Sequence, residues 1–200
     1  MLLSFLNIFG TIIFAITGVL VAVQKKMDLF GVIVIATVTA IGGGTFRDIL
    51  LANYPIFWIK EPIYLIIPAV SGIVTFFMVT VVRHFTKVLL IFDAMGLAVF
   101  GIIGAQKSMM LHQHFIISLL MGIMTGVVGG MIRDILCGEV PVIMGGDIYA
   151  TACGLGVLIF LILSGLGLSF GIASTIGILI VFLTRLGTIR WGWHLPSFKE

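Results

Sequence analysis

Seven stretches of this chain, at about 4–23, 29–50, 63–82, 89–106, 115–136, 148–165 and 169–186, are strongly apolar and of near bilayer-spanning length. Roughly 20 apolar residues carry a helix across about 30 Å of hydrocarbon. Lipid offers no partner to an open backbone, so runs of this kind are expected to be helical. The composition supports this: 60% of the 200 residues are hydrophobic and 10% are charged, against roughly 25% charged in soluble domains. The expectation is an all-α integral membrane protein forming a single transmembrane domain over residues 1–200. The net charge of +3 comes from Lys and Arg scattered at loops, and no basic stripe suits a nucleic acid. Met1 to Val23 has no basic start and no small-residue cleavage site, so it reads as the first span and not as a signal peptide.

Within the second span lies Gly42-Gly43-Gly44-Thr45-Phe46-Arg47-Asp48-Ile49-Leu50, and within the fifth lies Gly129-Gly130-Met131-Ile132-Arg133-Asp134-Ile135-Leu136. From position 47 to position 133 the shift is 86 residues, and the order of residue types is the same. An internal repeat follows, with halves at about 4–82 and 89–165 and a seventh helix at about 169–186 standing outside it. Three spans per half is an odd number, so the second half is expected to enter from the opposite face. The positive residues agree. Lys25, Lys26, Arg83, Lys87, Arg185, Arg190 and Lys199 fall on one face, against Lys60 and Lys107 on the other. That bias places the C-terminus in the cytoplasm and the N-terminus outside.

Adjacent glycines weaken a helix and let another backbone approach closely. Paired runs in corresponding spans therefore suggest two interrupted helices around a central pathway; the alternative is that the glycines only allow tight helix packing. Charge deep in a bilayer costs at least ~2.5 kcal/mol on insertion scales, so Arg47, Asp48, Arg133 and Asp134 are expected to face protein or water. Interfacial anchoring is the competing reading for Arg47, which an unbroken helix would carry near the outer surface. Neighbours in a helix do not face one another, so Arg47 is expected to pair with a group elsewhere and not with Asp48.

Asp93 reads either as a favourable acid near a helix start or as a cation-attracting or gating group. Lys107 is an outer anchor or a blocking charge, and Glu139 and Asp147 either solvate a loop or form an acidic vestibule. Cys137 and Cys153 form no CxxC and are expected to be inert thiols. The four histidines carry no metal-binding spacing. No nucleophile–base–acid set, Walker loop or dinucleotide fingerprint is present, so an enzyme is not expected and no cofactor is implied.

The segments Phe14-Ala15-Ile16-Thr17-Gly18, Gln24-Lys25-Lys26-Met27-Asp28, Thr39 through Asp48, Phe92-Asp93-Ala94-Met95-Gly96, Gly104-Ala105-Gln106-Lys107 and Gly129 through Pro141 resemble bacterial proteins related to trimeric intracellular cation channels. These are also grouped as a glycine-transporter-like family. The resemblance implies two inverted three-helix bundles plus a seventh helix, a homotrimer, and a monovalent-cation pore, mainly for potassium, in each protomer. It also implies that the second and fifth spans line that pore, with Gly42, Gly43, Gly44, Gly129 and Gly130 at their kinks, in the cytoplasmic membrane of a bacterium. Val128 stands where the family more often has a third glycine.

A passive channel for potassium or sodium is thus the first functional expectation, with Asp93, Arg133, Asp134, Arg47, Asp48 and the glycines as pore or gate residues and Lys107 and Glu139 as secondary ones. Membrane lipid is an expected contact. The alternatives are a secondary transporter of a small neutral solute such as glycine, with carboxylate at a positive helix end, and a structural membrane protein with no permeant.

Overall fold

The computed structural model describes residues 2–79, 85–145 and 148–194. Among them eight α-helices are formed: α1 (Leu2–Gln24), α2 (Leu29–Leu50), α3 (Phe57–Lys60), α4 (Ile63–Met78), α5 (Phe85–Met110), α6 (Phe115–Leu136), α7 (Ala150–Gly165) and α8 (Phe170–Trp191), with a 3-10 turn at Val142–Met144. Five of them, α1, α2, α5, α6 and α8, are long and apolar enough to cross a membrane, while α4 and α7 are shorter apolar helices. All seven apolar stretches are therefore helical where they are described. The differences are local: α5 extends beyond 89–106 at both ends, α8 runs past 186, and the short α3 forms in the connection between the second and third stretches. The end of the third stretch lies outside the described residues, as do Arg83, His84, Asp147 and Lys199.

Local chemistry explains the helix ends. The Asp28 carboxylate accepts the Gly31 N–H at 2.8 Å and so caps the start of α2. Helices α1, α2, α5 and α6 all stop in the same way, with left-handed residues at Lys26, Ala52, His112 and Gly138. In each case the next N–H reaches back over the end: Met27 to Ala22, Asn53 to Asp48, Gln113 to Ser108 and Glu139 to Asp134. These are Schellman caps, and only Gly138 has the residue that takes the left-handed conformation without strain.

Helices α1, α2 and α4 pack on one another, α5, α6 and α7 form a second group of three, and α8 lies against α5 and α7. The groups meet through α1 on α5 and α2 on α6. Phe14, Val19, Val32, Ile35, Val99, Phe100 and Ile103 fill one core, and Leu97, Ile102, Val127, Val157, Phe160 and Val181 fill the other. Helix α5 contributes to both, and is the buried post around which the rest is arranged.

Candidate functional site

The site begins with the glycines. Helix α2 is continuous through Gly42, Gly43 and Gly44, and α6 through Gly129 and Gly130. The expected interruptions are absent: helix hydrogen bonding continues, and the glycines serve close approach instead. A Cβ at Gly43 would collide with the backbone carbonyl oxygen of Thr125, and one at Gly129 would lie 2.5 Å from that of Thr39. Thr39 and Thr125 are themselves 86 positions apart, as are Gly43 and Gly129, so each half offers a glycine to the other's threonine backbone. Both threonine hydroxyls bond back to their own helices, to Ile35 and Met121 at 2.6 Å. The packing reading of these glycines is the one that holds. Gly42 faces Ile132, and Gly44 faces the Phe57 ring.

One turn beyond each glycine run, an arginine is buried. Arg47 is 2% exposed and Arg133 1%, so neither snorkels to a surface. Arg47 donates from Nε and Nη2 to Asp48 Oδ1 at 2.9 and 2.6 Å, contrary to the expectation that the pair would not meet. Helix position alone does not decide this, because a long guanidinium can fold back over the last turn to a short carboxylate beside it. The second oxygen, Asp48 Oδ2, accepts the Phe57 N–H at 3.0 Å and pins α3 across the end of α2. In the other half Arg133 Nε donates to Asp134 Oδ1 at 2.9 Å, and Asp134 Oδ2 accepts the Val142 N–H at 3.3 Å. The motif is thus a folding unit: the arginine neutralises the aspartate, and the aspartate holds the returning chain.

The halves then diverge. Arg133 Nη1 also donates to Asp93 Oδ1 and to Thr17 Oγ1, both at 2.9 Å, tying α6 to α5 and α1. Asp93 lies two turns inside α5 and is 2% exposed, so it is a buried ion-pair partner and not a helix-start acid. Among the described residues Arg47 has no second carboxylate; its guanidinium lies 5.9 Å from the Phe57 ring centre, and Lys107 Nζ lies 5.5 Å from the same centre.

Two cavities with charged side chains in their walls result. One, about 240 Å³, is lined by Gln24, Asp93, Arg133, Asp134 and Glu139 with Val21, Leu89, Leu90, Val140 and Val142. Lys25 forms an ion pair with Glu139 at this end. The other, about 180 Å³, is lined by Arg47, Asp48, Asn53 and Lys107 with Leu3, Leu51, Met110 and Leu111. Because α2 and α6 run antiparallel, these cavities sit at opposite ends of the crossing. Among the described lining residues, carboxylates outnumber cations in the first and cations outnumber carboxylates in the second. An acidic mouth raises the local cation concentration, and a basic one lowers it.

Every described candidate residue thus falls at one of three levels: Gly42, Gly43 and Gly129 at the crossing; Asp93, Gly130, Arg133, Asp134 and Glu139 at one end; Gly44, Arg47, Asp48 and Lys107 at the other. Sequence reasoning missed Phe57, Thr17 and Tyr149. Phe57 and Val142 follow the two Asp residues by nine and eight positions, a regularity visible in the repeat. Arg185, counted from sequence among the positive residues of one face, is buried at 1% exposure. Cys137 and Cys153 are free and buried, and burial pushes the Cys137 thiol above its ordinary value.

A family model described as Glycine transporter matches residues 4–80 and 90–165. The UPF0126 inner membrane protein YadS of Escherichia coli K12 is 42% identical over 203 residues, 99% of this chain and 97% of that protein. A UPF0126 membrane protein of Vibrio cholerae is 42% identical over 198 residues, covering 98% and 83%. The crystal structure of a trimeric intracellular cation channel orthologue from Rhodobacter sphaeroides superposes with a TM-score of 0.93 at 37% identity, covering 96% of this chain and 99% of that one.

Proposed function

This chain belongs to the Glycine transporter family, and from that membership and its fold we propose that it is the protomer of a potassium-conducting cation channel. The observation that carries the reading is the pair of cavities, each with charged side chains in its wall, on either side of the α2–α6 crossing, on a fold shared with a cation channel orthologue. In this reading each protomer holds its own pore between α2 and α6, the halves are inverted repeats, and α1, α2, α4, α5, α6, α7 and α8 are the seven spans. Three protomers assemble in the bacterial cytoplasmic membrane, with the N-terminus outside and the acidic cavity facing the cytoplasm.

The two glycine contacts close the path, since Gly43 and Gly129 bring the backbones together where the cavities would join. Conduction then requires α2 and α6 to separate there. On either side of the crossing, Arg47 and Arg133 stand about 18 Å apart along the bundle axis, from about twelve residues at ~1.5 Å rise. With the crossing at mid-bilayer both lie inside the hydrocarbon depth, where their carboxylate partners make them tolerable. Potassium or sodium enters from the acidic side, attracted by Asp93, Asp134 and Glu139, while the guanidiniums hold helix ends and do not coordinate the ion. Lys107 in the opposite cavity opposes cation passage until it moves.

The second reading is uptake of a small zwitterion such as glycine. It is favoured by the Arg133 guanidinium lining a cavity large enough for an amino acid, where a carboxylate is the natural ligand. Both readings are tested on one preparation. Purified protein in a planar bilayer under a potassium gradient is expected to give unitary currents reversing near the potassium potential, and liposomes are expected to show no saturable glycine uptake. Uptake without currents would replace the channel by the transporter, and neither activity would leave a structural membrane protein.

A further inference from the structure

Helix α8 stands outside both groups of three helices, yet it carries the third fully buried arginine. Arg185 Nη1 donates to the Ile148 carbonyl at 3.2 Å and to Thr188 Oγ1 at 3.1 Å. Its Nε and Nη2 are buried without a hydrogen bond among the described residues. The guanidinium instead covers the ring of Tyr149, 4.9 Å from its centre. A guanidinium taken out of water is drawn to the face of an aromatic ring more strongly than a solvated one, so the stack fixes the side chain.

Tyr149 sits at the entry to α7, 2% exposed. Its hydroxyl, Asp93 Oδ1 and Arg133 Nη2 all lie within 3.5 Å of the point where a Cβ on Gly130 would stand. Absence of a side chain at Gly130 leaves the space in which the three groups meet. Asp93 Oδ1 is occupied by Arg133, while Asp93 Oδ2 is buried with no hydrogen-bond partner. A buried carboxylate oxygen without a donor is costly, and the Tyr149 hydroxyl stands beside the same carboxylate, next to the space that Gly130 leaves open.

We infer that Arg185 is a positioning residue for the cation pathway: stacked on Tyr149, it holds the hydroxyl against Asp93, and so sets how firmly Asp93 retains Arg133 at the floor of the acidic cavity. Its functional meaning rests on the channel reading. The inferred chain runs from Arg185 to Tyr149 to Asp93 and on to Arg133 and Thr17, and so joins α8 to α5, α6 and α1. Loosening the stack frees the hydroxyl, weakens the hold on Asp93, and makes the carboxylate available to a passing cation.

The test uses full-length protein in lipid nanodiscs with ¹³C-labelled aspartate. The Asp93 carboxyl resonance, assigned by its loss in Asp93→Asn, is expected to shift in Tyr149→Phe, which keeps the ring and removes only the hydroxyl. Arg185→Gln is expected to shift it in the same direction, and Arg185→Lys, which keeps a cation over the ring, by less than half as much. In a Tyr149→Phe background neither Arg185 substitution should add a further shift. Independent, additive shifts, or an unmoved Asp93 signal in Arg185→Lys and Arg185→Gln alike, overturn the inference; should Arg185→Gln fail to fold, Arg185→Lys decides it alone. Potassium currents from the same variants follow the same pattern, with Arg185→Gln changing open probability severalfold in the native background and not at all with Tyr149→Phe. Absent wild-type currents reject the channel reading, while the carboxyl shifts still decide the contact. Currents that respond additively, with wild-type conduction intact, reject the positioning role.

Discussion

At the scale of single residues, the repeated Arg–Asp pair is understood by what each oxygen and nitrogen does. Asp134 neutralises Arg133 with one oxygen and caps the Val142 N–H with the other; Asp48 does the same for Arg47 and Phe57. Removing one partner leaves a buried charge, which costs roughly 3–5 kcal/mol. Asp48→Ala should therefore lower thermal stability in detergent by that order, read as a fall in the unfolding midpoint. Asp134→Ala is expected to cost less, because Asp93 still faces Arg133. Lys25→Ala, which breaks a partly exposed pair, should cost under about 1 kcal/mol. Equal losses in all three variants would show that the buried pairs are not the anchors. The Cys137 thiol, buried and raised above its ordinary value, stays protonated at neutral pH. Its labelling by a thiol-reactive maleimide should be far slower than that of a free thiol, and should accelerate on unfolding.

At the scale of elements, two features make predictions of opposite sign. The α2–α6 crossing has no room for a methyl group, since Gly43 and Gly129 each face a backbone oxygen that cannot rotate away. Gly43→Ala and Gly129→Ala should each destabilise the folded protein by about 1–3 kcal/mol and, in the channel reading, raise the open fraction by holding the helices apart. Unchanged melting and unchanged currents would mean the contact yields freely. The left-handed cap at Ala52 carries a side chain where its counterpart is Gly138. Ala52→Gly removes that conflict and should stabilise by up to about 1 kcal/mol, whereas Gly138→Ala should destabilise by a similar amount.

For the whole molecule, the antiparallel crossing puts the turn after α2 and the turn after α6 at opposite ends. With Cys137 and Cys153 replaced by Ser, a membrane-impermeant thiol reagent should label Tyr54→Cys from outside intact cells, and Glu139→Cys only after the cells are opened. Labelling of both from one side would contradict the proposed topology.

Much of this was legible in the sequence because membrane crossing is a demand on length and hydropathy, which sequence displays directly. The apolar runs gave the helices to within a few residues, and the 86-residue repeat singled out the glycines and the Arg–Asp pairs that line the crossing and floor both cavities. Tertiary structure decided what those residues do. Whether a glycine breaks a helix or admits a neighbour depends on what stands opposite, and here a carbonyl of the other half does. Whether Arg47 snorkels, pairs across the bundle or folds onto Asp48 depends on which alternatives are buried, and here Arg47 is buried with Asp48 as its carboxylate and the Phe57 ring beside it. The asymmetry between halves, with Asp93 behind Arg133 and Lys107 beside Arg47 and Phe57, comes from residues forty or more positions apart in the chain. Such partners leave no mark in local pattern, because burial and charge pairing are properties of the packed bundle and not of any stretch of it.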